Sequence, residues 1–215
     1  MLGLHSLVVP LWAPVVARRP ALAARLLAGF ARAELGSMYT LRWAAAATPS
    51  MERRARYLGH AGDEARHAAM FHRRAEELNG PLGPLAADAE DLYANLGERR
   101  FLAFLEYAEG RAHREFEHYA RAFARRGDQR TAALLRGIMA DEFRHEEMAR
   151  DLLEQEANPA GARRYVRVWE AGREALRRGR SLAEYVYLAM MFLLYPLLAP
   201  LALWERRRRR ALRAR

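Results

Sequence analysis

The sequence predicts an all-α protein: an antiparallel four-helix bundle with a long crossover between its second and third helices, followed by a C-terminal helical appendage. Three observations support this prediction. No segment alternates apolar and polar residues as a half-buried strand does. Four long segments each carry an apolar stripe of helical period. These segments are joined by a short loop, a long connection and a short loop, which is the connectivity of two antiparallel hairpins. We place the bundle at residues 20–158 and the appendage at residues 159–215.

The first predicted hairpin consists of two long helices separated by a break at residues 48–50. The first helix spans about residues 21–46 and carries Glu34 on its apolar stripe. Ser50 is a typical helix-capping residue, so the second helix is expected to begin after it and to end near Gly80. The apolar stripe of the second helix comprises Tyr57, His60, Ala61, Glu64, His67, Ala68 and Phe71.

The second predicted hairpin follows a long connection over residues 80–98, which has room for one short helix. A connection of this length suits a crossover better than a tight turn. The third helix is expected to begin near Arg99, to carry Glu109 on its inner stripe and to turn at Gly127. The fourth helix is expected to end near Asn158, with a stripe formed by Leu135, Ile138, Glu142, His145, Ala149 and Leu153.

Two Glu-x-x-His units mark the chemistry of the bundle. Glu64 with His67 and Glu142 with His145 are each three residues apart, so each pair lies on one helical face and can chelate one ion. The two segments repeat weakly, as DEARHAAM and DEFRHEEM. Both units lie on apolar stripes, where an unpaired carboxylate costs several kcal/mol, on the order of the penalty for a buried charge. A bound metal ion removes that cost.

Glu34 and Glu109 complete a set of four Glu and two His, which is the ligand set of di-iron and di-manganese bundles. Spacing supports the set independently. Glu34 and Glu64 lie 30 residues apart around the first turn, and Glu109 and Glu142 lie 33 apart around the second. At about 1.5 Å of rise per residue, the four carboxylates reach one level about 20 Å from their turns. The alternative is that these residues belong to the ordinary surface of an Arg- and Glu-rich bundle.

Several neighbouring residues are further candidates for the site. Glu106 competes with Glu109, but it is rotated by about 100° from the apolar stripe, whereas Glu109 is within about 50°. Asp63 and Asp141 precede the chelating Glu residues and are candidates to accept the second ring N–H of a ligand histidine. His60 lies one turn before Glu64, either as a group beside the ligands or substrate, or as a satisfied core histidine.

With these motifs, residues 20–158 resemble the ferritin-like superfamily, in particular rubrerythrins, demethoxyubiquinone hydroxylases and the di-iron tRNA hydroxylase. The resemblance implies two iron ions bridged by Glu64 and Glu142, dioxygen or peroxide as oxidant, and an external electron donor. Manganese fits the same carboxylate and imidazole ligands. The chain departs from rubrerythrins in lacking their Cys-rich module. The terminal ligands that the resemblance implies are Glu34, His67, Glu109 and His145.

Composition excludes other classes of site. The chain has no Cys, so disulfides, thiolate zinc sites and iron–sulfur clusters are excluded, and His, Asp and Glu must hold any metal. The net charge is +10, but the last eleven residues supply +6 of it through seven Arg against Glu205. Because the charge is concentrated in the tail and no Lys occurs, nucleic-acid binding is disfavoured.

Residues 185–204 are a hydrophobic segment without a charge for twenty residues, about the length needed to cross a bilayer. The run from Arg206 to Arg210 suits anionic headgroups, so membrane lipid is an expected partner. Pro196 and Pro200 favour a segment that dips into the membrane and returns to the cytoplasm. The alternative is a buried helix, laid over the bundle or lying in a homodimer interface. We interpret the apolar first seventeen residues as mature protein.

The combined hypothesis is a di-iron oxidoreductase at the cytoplasmic face of a membrane, where it hydroxylates or oxidises a lipid-soluble substrate with dioxygen. The first alternative is a ferroxidase or peroxide reductase of rubrerythrin type. The second alternative is a non-catalytic helical scaffold linked to a membrane. Metal content separates the scaffold from both enzymes, and the product of the reaction separates the enzymes from each other.

Overall fold

The computed structural model describes the backbone of residues 4–87 and 89–213, and side chains at residues 9–87, 89–180 and 182–194. The described residues form helices and no strand, so the predicted all-α class is confirmed. The chain divides into two compact units, Met1–Arg167 and Val168–Arg215. The helices are α1 (Leu4–Val16), α2 (Pro20–Ala47), α3 (Met51–Asn79), α4 (Leu92–Leu96), α5 (Glu98–Arg125), α6 (Gln129–Glu154) and α7 (Pro159–Arg213).

The first unit contains the bundle, in which α2 packs along α3 and α5 packs along α6. These are the two hairpins expected from the sequence, and α3 also contacts α6. Aromatic and aliphatic side chains fill one half of the bundle, with Phe30 packed against Phe71, Phe116 and Tyr119 at ring-centroid distances of 4.9–5.8 Å. The arrangement is consistent with a ferritin-like bundle.

The apolar N-terminal segment forms α1, which packs against α5 and α2. Val9, Ala13 and Val16 are buried in the same hydrophobic core as Leu27 and Phe123. No helix was predicted for this segment, which was interpreted only as part of the mature protein. Burial explains the apolar character of this face of α1, whereas Leu11 and Trp12 on α1 are exposed.

The turns of the bundle follow their local chemistry. Ser50 caps α3 as predicted, because its side-chain oxygen accepts a hydrogen bond from the Arg53 backbone N–H at 3.3 Å. Gly127 ends the α5–α6 turn with φ 82°, a conformation that favours glycine. The crossover contains the short helix α4 and is tied to α2 by a hydrogen bond from the Thr40 hydroxyl to the Glu90 carbonyl, at 3.0 Å.

The C-terminal part differs from the prediction in two respects. Pro159 and Gly161 do not end the fourth helix but begin α7, because proline suits the first turn of a helix and the Asn158 side chain caps the Gly161 N–H at 2.9 Å. A single helix, α7, also replaces the several C-terminal helices expected, and its assignment runs through residues 196 and 200.

Side chains from Tyr185 to Leu194 are exposed. Among the described residues, none of the helices combines the length and the apolar character required to cross a bilayer. The side chains of residues 195–204 lie outside those that the structure describes. Membrane association of residues 185–204 therefore stays a prediction.

Asp128 joins the second hairpin to the first and provides a test of the fold. Its carboxylate accepts hydrogen bonds from the Thr131 backbone N–H at 3.0 Å and from Arg74 of α3 at 2.8 and 3.0 Å. Burial raises the pKa of Asp128, but the hydrogen bonds from Thr131 and Arg74 outweigh this and lower the pKa below its ordinary value.

We predict that Asp128→Ala lowers the free energy of unfolding by about 1–2 kcal/mol at pH 7, because a helix cap and an inter-helix ion pair are lost. Asp128→Asn keeps the cap and should lose less. Since the pKa is lowered in the folded state, the difference should fade as the pH drops below about 4. Urea unfolding of the metal-free protein measures this, and an unchanged midpoint for Asp128→Ala would contradict it.

Candidate metal centre

The structure brings all six predicted ligand residues into one buried cluster inside the bundle. Each of the four long bundle helices contributes: α2 and α5 one Glu each, α3 and α6 a Glu-x-x-His unit each. No member of the set is more than 8% exposed. Equal distance from the turns therefore places the carboxylates at one level, as the spacing predicts. The six residues are Glu34, Glu64, His67, Glu109, Glu142 and His145.

Donor atoms in the cluster fall into two overlapping groups, within each of which they lie no more than 4.8 Å apart. Metal–ligand bonds of about 2.0–2.2 Å give donor separations of about 3–4 Å, so each group can surround one ion. Glu64 belongs to both groups, and the bridging role that the resemblance implies for it stays a prediction. The bridging role that the resemblance implies for Glu142 stays a prediction. The groups are His60, Glu64, Glu109 and His145, and Glu34, Glu64, His67 and Glu142.

Two aspartates orient the ligand histidines, and each acts across the bundle. Nε2 of His67 on α3 lies 3.0 Å from Oδ2 of Asp141 on α6, and Nε2 of His145 on α6 lies 3.0 Å from Oδ2 of Asp63 on α3. The Arg66 guanidinium contacts both aspartates, at 2.6 and 2.8 Å. A carboxylate partner places the ring proton on Nε2 and leaves the lone pair on Nδ1.

The Nδ1 atoms of both histidines face the cluster. His67 Nδ1 lies 3.2 Å from Glu142 Oε1, and His145 Nδ1 lies 3.5 Å from Glu64 Oε1. In each histidine, the ring nitrogen that contacts Asp141 or Asp63 is therefore not the nitrogen that faces the cluster. This is the orientation that a metal-ligating imidazole requires.

Buried polar atoms without a well-formed hydrogen bond concentrate in this cluster. In the part of the chain that the structure describes, all such side-chain atoms lie here. Leaving a buried polar atom unpaired costs about 1–3 kcal/mol, and more if it is charged. Two cations would satisfy the carboxylate oxygens and the Nδ1 lone pairs together, so the residues present fit a dinuclear metal group. The buried atoms without a well-formed hydrogen bond are His60 Nδ1 and Nε2, Glu64 Oε1, His67 Nδ1, Glu142 Oε1 and His145 Nδ1.

Burial and mutual repulsion raise the pKa values of three of the four carboxyls in the absence of metal. Burial raises the pKa of Glu34 well above its usual range, and the negative charge of Glu64 raises it further. The pKa of Glu64 is raised well above its usual range, mainly by burial. Burial, followed by the charge of Glu109, raises the pKa of Glu142 to about 8. Binding of cations must therefore displace protons from these groups.

The pKa values of the two predicted ligand histidines shift in opposite directions. Burial and the neighbouring His60 lower the pKa of His145 to about 4, so its ring is neutral at pH 7. Burial lowers the pKa of His67, but its contacts with Glu142 and Asp141 outweigh this and raise it above its usual value. Metal binding requires the neutral ring, and His145 already meets that requirement.

The structure also shows the surroundings of two residues, Glu106 and His60, whose roles the sequence left open. Glu106 does not join the cluster, because Arg150 and Arg163 bind its carboxylate at 3.3 and 2.7 Å. His60 lies beside the predicted ligands, with Nε2 3.1 Å from Glu64 Oε1, and neither of its ring nitrogens has a well-formed hydrogen bond among the described residues. Instead His60 stacks on His145 with 3.7 Å between ring centroids. The signal in the sequence was its position four residues before Glu64, which places both on one face.

A four-helix bundle with a Glu from each of two helices and a Glu-x-x-His from each of the other two defines the class of dinuclear metal–carboxylate proteins. The family model described as rubrerythrin matches residues 48–153. These residues therefore form a rubrerythrin domain, which is a member of the ferritin-like di-iron carboxylate superfamily. Searches of curated proteins and of solved structures each returned no match.

The family match covers α3, α4, α5 and nearly all of α6. It includes five of the six predicted ligand residues, and Glu34 on α2 lies outside it. Placement of Glu34 therefore rests on the structure, where it belongs to the same group as Glu64, His67 and Glu142. The buried cluster is compatible with a di-iron site, and the identity of the ions stays a prediction.

We predict that the purified protein binds two iron or manganese ions per chain and that Glu64→Gln abolishes binding at both positions, because Glu64 belongs to both ligand groups. The matched control is Glu52→Gln on the same helix, whose carboxylate is 65% exposed. Elemental analysis after anaerobic loading measures the result. Full loading of Glu64→Gln would contradict the assignment of Glu64 as a shared ligand.

We predict that the metal-free protein loses stability as the pH rises from about 6.5 to 8. Groups with raised pKa values hold protons in the folded state that the unfolded chain has already released, so unfolding is favoured as the pH rises, by about 1.4 kcal/mol per pH unit for each such proton. Glu142→Gln should flatten this slope. Chemical unfolding in a chelator across this range measures it, and a rise in stability with pH would contradict the prediction.

Proposed function

We propose that this chain is a di-iron oxidoreductase that reduces dioxygen or peroxide with electrons from an external donor. One observation carries the proposal. The buried polar atoms without a well-formed hydrogen bond, within the described residues, all belong to residues of the two overlapping ligand groups. Membership of the ferritin-like di-iron carboxylate superfamily supports the same chemistry.

The ligand residues account for the charge of the centre. Four carboxylates supply four negative charges, which balance two divalent cations, and the two histidines add neutral donors. Carboxylate and imidazole donors suit iron and manganese alike. When bound, a pair of iron ions supplies the electrons that reduce an oxidant. We propose iron, because the family that the chain matches is a di-iron family.

The surrounding residues hold this centre in place and keep it dry. Asp63 and Asp141 fix the orientation of His145 and His67, respectively, and Arg66 holds both aspartates. Because all ligand side chains are buried, only small molecules such as dioxygen and peroxide can reach them. Exclusion of water also protects reactive species from side reactions.

For the substrate, we propose a lipid-soluble molecule that is hydroxylated or oxidised at the cytoplasmic face of a membrane. The supporting observation is the second unit, where Leu188, Met190 and Phe192 are 60%, 54% and 82% exposed. A helical segment that is apolar on all sides and exposed to this extent favours contact with another apolar phase. The Arg-rich tail that follows suits anionic lipid headgroups.

Two alternative functions follow from specific observations. A ferroxidase or peroxide reductase needs no organic substrate, and the match to the rubrerythrin model favours it. A non-catalytic scaffold, possible for any helical bundle, is disfavoured by the orphaned donor atoms in the core. Metal content distinguishes the scaffold from the enzymes.

We predict that the anaerobically reduced, iron-loaded protein consumes dioxygen or peroxide, and that Glu109→Gln lowers the rate at least about tenfold, because a ligand contributes no less than a group that orients one. Glu117→Gln is the matched control on α5, since its carboxylate is 46% exposed. An oxygen electrode and a peroxide assay measure the rates. Equal rates in the two variants would contradict a role for Glu109 at the centre.

The same assay, repeated with membrane lipid extract, separates the candidate substrates. A lipid-soluble substrate predicts faster dioxygen consumption with lipid and an oxygenated lipid product detectable by mass spectrometry. A ferroxidase or peroxide reductase predicts turnover that lipid does not change. Iron-loaded protein that consumes neither oxidant would contradict both enzymatic proposals.

A further inference from the structure

His60 is a buried histidine that the six-residue ligand set does not include. It is 3% exposed and lies on α3, one helical turn before Glu64. Its Nε2 atom is 3.1 Å from Glu64 Oε1 and 3.3 Å from Glu109 Oε1. Neither ring nitrogen forms a well-aligned hydrogen bond within the described residues.

A structural role alone does not explain this position. A core histidine normally satisfies at least one ring nitrogen with a hydrogen bond, because an unpaired buried polar atom is costly. The imidazole ring of His60 stacks on His145 with 3.7 Å between ring centroids, so His60 lies directly beside one of the predicted ligands. An imidazole binds a metal ion through the lone pair that one ring nitrogen carries in the neutral ring.

The Nε2 atom of His60 faces the donor atoms of one ligand group. His60, Glu64, Glu109 and His145 together place one donor atom each within 4.8 Å of the others. We infer that His60 is a seventh protein ligand, bound through Nε2 to the ion that Glu109 and His145 hold. The inference rests on the proposed function, because it requires metal in the cluster.

A seventh ligand makes the two metal positions chemically different. The position with His60 has two imidazoles and two carboxylates, whereas the position with Glu34 and His67 has one imidazole and three carboxylates. Imidazole-rich sites favour later transition metals more strongly than carboxylate-rich sites do. Removing His60 should therefore weaken one position selectively and leave the other nearly unchanged.

The test counts the coordinated imidazoles in protein loaded with cobalt(II). Each coordinated histidine contributes one solvent-exchangeable ring N–H resonance, shifted far outside the normal proton NMR range by the paramagnetic ion. Wild-type protein should show three such resonances if His60 is a ligand. His60→Ala should show two, and the affinity of one of its two positions for cobalt(II) should fall at least tenfold in a chelator competition.

The control is His72→Ala on the same helix, where the His72 ring is 23% exposed and lies 3.6 Å from Glu76. This variant should keep three resonances and both affinities. Added imidazole should enter the space left in His60→Ala and restore the lost affinity, a rescue that a merely packing role does not predict. Helicity measured by circular dichroism establishes that the variant folds.

The wild-type count does not depend on any variant and decides the inference. Two resonances from wild-type protein carrying two cobalt ions would overturn the role of His60 and leave the proposed function intact. Failure of wild-type protein to take up either cobalt or iron would overturn the proposed function, and the inference would fall with it. Three resonances that persist in His60→Ala would assign the third to a different histidine and overturn the inference.

Discussion

The structure depends on the cost of placing four carboxylates in the apolar interior of a helical bundle. Burial and mutual repulsion raise the pKa values of Glu34, Glu64 and Glu142, so the metal-free cluster retains protons that free carboxyls lose. Hydrophobic residues of similar size would stabilise the bundle more. The cluster is therefore best explained by cations, whose binding free energy offsets the desolvation of the ligands.

The need to hold the histidines in place beside the carboxylates accounts for contacts that link the two hairpins. The hydrogen bonds from His67 to Asp141 and from His145 to Asp63 cross between α3 and α6, and Arg66 connects the two aspartates. The same interactions that orient the histidine ligands thus hold the hairpins in register. A change in hairpin register would misplace the histidines and separate the carboxylates at the same time.

The cluster is also less symmetric than the repeated Glu-x-x-His units suggest. His60 has no counterpart in the second hairpin, where Ile138 occupies the equivalent position four residues before Glu142. Its ring lies against Glu64, Glu109 and His145 on one side of the centre. Two ions held here would therefore differ in their donors, which is a basis for different affinities and reactivities at the two positions.

The sequence alone was enough to predict the four bundle helices, the hairpin connectivity and the six residues that meet in the core, because helical periodicity and equal spacing from a turn are local properties. Tertiary structure alone decided that Glu106 binds arginines, that neither ring nitrogen of His60 has a well-formed hydrogen bond within the described residues, and that α1 packs in the core. These outcomes depend on neighbours from distant segments. Periodicity specifies the face of a helix, but not which side chain of another helix lies against it.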